Sequence, residues 1–163
     1  MNYFANFMSK NNAFNKGIYV CISILLIFTL IVSCSKDMYL KKYQQKYIPI
    51  PVSNTYIRMP YKDFKKIRGE NNLEINETNS LTIVGEIIAR DSITAIQYQF
   101  AQDKLLYEII IEYIPKYNVI KEFTDKFGEP NNEKEWLFEI SKNLKLKIWI
   151  FKNRLCIGDS KHF

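Results

Sequence analysis

The sequence predicts an α+β domain over residues 55–163, an antiparallel sheet of six or seven strands with two short helices packed on one face. Three observations carry that expectation. Apolar side chains alternate with polar ones through most of residues 73–157, the two-residue period of a strand. Two stretches break into helical spacing instead, and each is stopped by a glycine. Short turn sequences separate the alternating runs at hairpin distance, which favours antiparallel neighbours.

Taken in order, Pro60 opens the first helix, with Tyr61, Phe64 and Ile67 at helix spacing and Gly69 just past the end. Leu73 and Ile75 begin the strands. Leu81 to Ala89 is rich in branched side chains, and Ile96, Tyr98 and Phe100 alternate with Gln97 and Gln99. Ala101 to Lys104 reads as a turn. Leu105, Tyr107, Ile109, Ile111 and Tyr113 are then expected on one face of a long strand, with Glu108 and Glu112 on the other. Pro115 ends that strand. The second helix carries Val119, Ile120, Phe123 and Phe127 on one stripe, with Asn118 as its cap and Gly128-Glu129-Pro130 as its stop. Trp136, Phe138 and Ile140, then Leu144, Leu146, Ile148 and Ile150, then Leu155 and Ile157, make the closing strands, with turns at Lys142-Asn143 and Lys152-Asn153. An acid and a Phe stand before the stopping glycine in both helices: Asp63-Phe64 before Gly69, Glu122-Phe123 before Gly128. That match, at an offset of 59 residues, suggests a duplicated helix-plus-strands unit.

The first part of the chain has a different character. Ile18 to Val32 is uncharged and strongly apolar, Lys10 and Lys16 precede it, and residues 1–33 contain no acid. A basic stretch followed by an apolar run of roughly 7–15 residues marks a secretory signal peptide, and a membrane-spanning helix needs about 20. Met8 offers an alternative start with a more ordinary basic region. Ile31-Val32-Ser33-Cys34 resembles the lipobox of bacterial lipoproteins. The resemblance implies cleavage between Ser33 and Cys34, a diacylglyceryl group on the Cys34 thiol that can carry palmitate, and export to a bacterial membrane. The position after Cys34 is Ser35 rather than the Asp that retains some lipoproteins in the inner membrane, and Ser35-Lys36-Asp37 resembles the Lys-acid tags of some surface lipoproteins, which favours an outer membrane over an inner one. Residues 34–54 follow as a lipidated, extended tether containing Pro49 and Pro51, able to span roughly 60–70 Å when stretched. Tyr39, Tyr43 and Tyr47, four residues apart, leave open a short helix within it.

The net charge of +6 is unevenly spread: residues 35–68 carry +7, residues 69–140 carry −8 and residues 141–163 carry +5. A basic segment beside an anchor suits anionic head groups, with a solvated tether as the other reading. Export argues against nucleic acid as a partner. With Cys21 removed and Cys34 acylated, Cys156 is left without a partner for an intramolecular disulfide and is expected as a small side chain filling a strand.

Catalytic chemistry is sparse. His162, the sole histidine, is expected as a frayed surface side chain without a triad to orient it. No His/Cys/Asp cluster has metal-ligand spacing, the glycines form no phosphate loop, and no cofactor is expected. Glu108 and Glu112 lie on one strand face about 13 Å apart, too far for a glycosidase pair, and are expected solvated. Tyr98, Tyr107, Tyr113, Trp136 and Trp149 form the candidate binding face, since Tyr and Trp are favoured at protein interfaces.

The helix ending Phe127-Gly128-Glu129-Pro130, followed by Trp136-Leu137-Phe138, resembles the small lipoprotein of the outer-membrane barrel-assembly machinery. The duplicated layout resembles the β-lactamase-inhibitor-protein fold. Both resemblances imply paired helices on an antiparallel sheet and action by binding other proteins. The expectation is therefore a tethered, non-catalytic module whose partner is an envelope protein, a cell-wall component or a toxin that it neutralises. An envelope hydrolase using carboxylates brought together by the fold is the alternative.

Overall fold

The computed structural model describes residues 38–69, 73–90 and 92–163. The expected signal peptide and lipobox, and Cys34 as the expected lipidation position, lie outside these residues. The fold is mixed α+β. Seven strands form one antiparallel sheet: β1 (Leu73–Glu77), β2 (Thr82–Arg90), β3 (Ile93–Phe100), β4 (Leu106–Tyr113), β5 (Glu135–Ser141), β6 (Leu144–Phe151) and β7 (Arg154–Asp159). The spatial order is β1-β2-β3-β4-β7-β6-β5. After four strands in sequence the chain crosses to the far edge, and two hairpins bring it back until β7 pairs with β4 at the centre.

Three helices are described where two are expected: residues 38–44 (α1), Tyr61–Arg68 (α2) and Val119–Phe127 (α3). The stop signals of α2 and α3 work as the sequence implies. Gly69 and Gly128 take φ of 73° and 78°, a region costly for any side chain, and their N–H groups close back onto the carbonyls of Lys65 and Thr124. The Asn118 side chain accepts from the Lys121 N–H at 3.0 Å and caps α3.

α1 and the residues after it correct the expected tether. Leu40, Ile48 and Val52 are buried in the same core as the sheet, so the boundary anticipated at Thr55 falls inside the folded unit. The tyrosines four apart are not the buried stripe, because Tyr39 and Tyr43 are exposed while Leu40 and Gln44 point inward. The Gln44 amide is fully buried. It accepts the Ile57 N–H at 2.7 Å and donates to the Ile57 carbonyl at 3.1 Å, standing in for a strand partner. Such a two-way bond satisfies two backbone groups that would otherwise be buried without water. A 3-10 turn at Ile50–Val52 accommodates the proline pair.

The strand registers sort every position onto one of two faces. Val84, Tyr98, Ile109, Ile157, Ile148 and Trp136 share one face across six strands, and all are buried. The helices cover this face. Phe64 of α2 packs 4.7 Å from Tyr98 and 5.1 Å from Phe100, while Phe123 and Phe127 of α3 extend an aromatic cluster to Trp136, Phe138 and Tyr47. At one end, buried Asp159 pairs with Arg58 at 2.7 Å and ties the end of β7 to the segment before α2.

One register differs from simple alternation. Gln99 pairs with Glu108, but the next β3 residue, Phe100, pairs with Leu106, so Tyr107 is an extra residue on β4. The bulge inverts the phase. Leu106 takes the covered face with Ile109, Ile111 and Tyr113, while Tyr107 turns to the opposite side.

Candidate functional site: the open face of the sheet

No described helix crosses the second face. Across it run Glu74 and Asn76 of β1, Ile83, Gly85 and Ile87 of β2, Ala95, Gln97 and Gln99 of β3, and Glu108, Ile110 and Glu112 of β4. Arg154, Cys156 and Gly158 of β7 continue it, followed by Lys147, Trp149 and Phe151 of β6. Over β1 to β4 this surface forms an open groove of about 580 Å³. Small residues, Gly85 and Ala95, give it depth, and Ile83, Ile87 and Ile110 make its floor apolar. Ile87 is 73% exposed. Two carboxylates, Glu74 and Glu112, face the groove with Arg154, while Glu77 and Glu86 border it from strand positions whose side chains turn to the covered face. Arg154 pairs with Glu112 at 3.0 Å, Lys104 pairs with Glu77, and Arg68 pairs with Glu86 at 3.2 Å.

The other half of the face has a different cover. Ser160–His162 forms a 3-10 turn that folds Phe163 back over β7, with the Asp159 side chain accepting the Lys161 N–H to set the turn. The Phe163 ring lies edge-on to Trp149 at 4.8 Å, and the His162 ring lies 5.0 Å from Tyr107. Gly158 makes this approach feasible, since a Cβ there would stand 2.5 Å from Phe163 Cε2 and 3.2 Å from the Tyr107 carbonyl oxygen. The residue paired with Gly158 on β4 is Glu108. Glu108 is buried, which corrects the solvated position expected for it. Burial pushes its carboxyl up to about 7. Glu112 lies on the same face two pleat repeats away, about 13 Å along the strand.

The expected aromatic binding face is divided between the two sides. Tyr107 and Trp149 do lie on the open face, half-buried. Tyr98, Tyr113 and Trp136 belong to the covered face and are at most 3% exposed. Tyr98 accepts from Arg68 and donates to Glu86 at 3.0 Å, Tyr113 stacks on Tyr117, and the Trp136 indole donates to the Gly128 carbonyl at 2.8 Å. Burial raises the Tyr98 and Tyr113 phenols well above their ordinary range. Cys156 is a buried strand residue on the open face, its thiol pushed up to about 12 by burial and by Glu108. Among the described residues no group of three or more His, Cys, Asp or Glu side chains is arranged to hold a metal ion.

The groove residues were missed because both phases of β2 are apolar. Val84 on one side and Ile83 and Ile87 on the other give no polar alternation to mark an outside. A usable signal was there in Gly85 and Ala95, small residues that register close to one another across β2 and β3 and leave a hollow.

No protein-family model, no curated protein and no solved structure matches the chain. Among the described residues no helix is long and apolar enough to cross a membrane.

Proposed function

We propose that the chain is a membrane-tethered, non-catalytic docking module of a bacterial envelope that presents the open face of its sheet to another protein. The observation that carries this reading is a seven-stranded sheet with one side buried under helices and an apolar groove on the other. An uncovered apolar groove rimmed by polar groups is a usual mark of a docking surface. The apolar floor favours a polypeptide segment bearing apolar side chains, with Glu74 on the same face to meet a Lys or Arg, whether from an envelope protein or from a toxin held in check. The duplicated-unit reading fits the connectivity: α2 precedes β1 to β4, α3 precedes β5 to β7, and the last strand of each set meets the other at the centre.

The tether is the lipobox at Ile31 to Cys34. In cells that process lipoproteins, the chain is expected to incorporate labelled palmitate, and Cys34→Ala is expected to lose the label and remain uncleaved. Equal labelling of both would remove the anchor from this account. For the docking face, a photocrosslinker at Ile87 in intact cells is expected to give one discrete adduct. The same crosslinker at Ile120, also exposed but on α3, is expected to give none. Adducts of equal yield from both positions, or from neither, would contradict the assignment.

One observation favours the hydrolase alternative, the Glu108 carboxyl held near 7. Its same-face neighbour Glu112 is about 13 Å away and bound to Arg154. Joint work by the two would require the strand itself to deform.

A further inference from the structure

The short segment 160–163 covers the middle of the open face in a specific way. Phe163 fills the space left by the missing side chain of Gly158, and the Trp149 and Tyr107 rings border it. On the sheet lattice this puts the ring beside Glu108, the cross-strand partner of Gly158. Glu108 makes no ion pair with any described residue. We propose that residues 160–163 form a proton-held strap, seated over Gly158 while Glu108 is neutral and released when Glu108 is charged, so that the Tyr107–Trp149 patch opens at higher pH.

The physical argument concerns what surrounds the carboxyl. From β3 it faces Gln99, whose amide oxygen already accepts from the Tyr107 hydroxyl at 2.6 Å. From β7 it faces Cys156 and, further along, Arg154, which is held by Glu112. From β6 the nearest cation is Lys147, which is 3.0 Å from Glu135 and lies over the Trp149 and Phe163 rings. The strap adds Lys161 and His162, both exposed. A neutral carboxyl fits this apolar setting, whereas a carboxylate there lacks a dedicated cation and costs free energy unless water reaches it. Lifting Phe163 admits that water. Burial raises the carboxyl from 4.5 to about 7, so the seated form is favoured below 4.5 and loses its advantage as pH rises through about 7.

The consequence for partners rests on the docking reading above, but the strap can be followed without any partner. The full chain in detergent micelles, carrying 4-fluorophenylalanine at position 163, reports the ring environment by fluorine resonance. The resonance is expected toward a seated position at pH 4 and at a free position at pH 9, with a midpoint between 4.5 and about 7. Gly158→Ala, whose methyl occupies the ring's place, supplies the free position at every pH. Glu108→Gln is expected to remain seated through pH 9, and His162→Gln is expected to keep the midpoint, separating the carboxyl from the imidazole. A ring that stays seated from pH 4 to 9 in the unsubstituted chain would overturn the proposal. So would an unchanged midpoint in Glu108→Gln, or loss of the transition in His162→Gln. Because Ile87 crosslinking reads the other half of the face, either result can fail alone.

Discussion

The two faces of this sheet are built from similar side chains and put to different use. Ile109 and Ile110 are neighbours on β4, yet Ile109 is fully buried under the helices while Ile110 is half-buried in an open groove. The difference lies in what packs above. The covered face receives Phe64, Phe123, Phe127 and the α1 segment, which fill it with aromatic rings in edge and tilted contacts. The open face receives only Phe163 and its neighbours, over β6, β7 and the Tyr107–Glu108 end of β4, and the groove over the rest of β1 to β4 stays open among the described residues. Stability should therefore come from the first side, leaving the second free for recognition.

Substitutions on the covered side should cost most. Phe64→Ala removes a fully buried ring from the Tyr98–Phe100 cluster and is expected to lower the unfolding free energy by about 3–5 kcal/mol in urea titration. A loss under about 1 kcal/mol would mean that α2 is not seated as described. Gln44→Ala is expected to cost about 2 kcal/mol by stranding the Ile57 N–H and carbonyl. That value separates a packed α1 segment from a free tether, for which the same change should be neutral.

Much of this division was legible in the sequence. The seven strands, α2, α3 and their glycine stops follow from alternation and helical spacing, because bulky side chains on a single phase leave little choice of face. The parts not legible share a physical cause, in that each depends on a contact distant in sequence. α1 hides its inward stripe because one member is the polar Gln44, satisfied by a backbone 13 residues away. The Tyr107 bulge shifts the phase of β4 by one residue, so Tyr107 leaves the side of Ile109, Ile111 and Tyr113, with which counting by twos groups it. Glu108 reads as solvated until Phe163, 55 positions later, folds back over Gly158. Residue 162 reads as frayed, yet its ring rests near Tyr107.

The sharpest test of the division combines stability and binding in one substitution on the open face. Ile83→Lys places a cation on the groove floor, between Asn76 and Gln99, without touching the helix-covered core. The account predicts a change in unfolding free energy below about 1 kcal/mol, together with loss of the crosslinked adduct formed from Ile87. A substituted chain that unfolds at far lower urea would show that this face is core. One that keeps both its stability and its adduct would show that the groove is not where the partner docks.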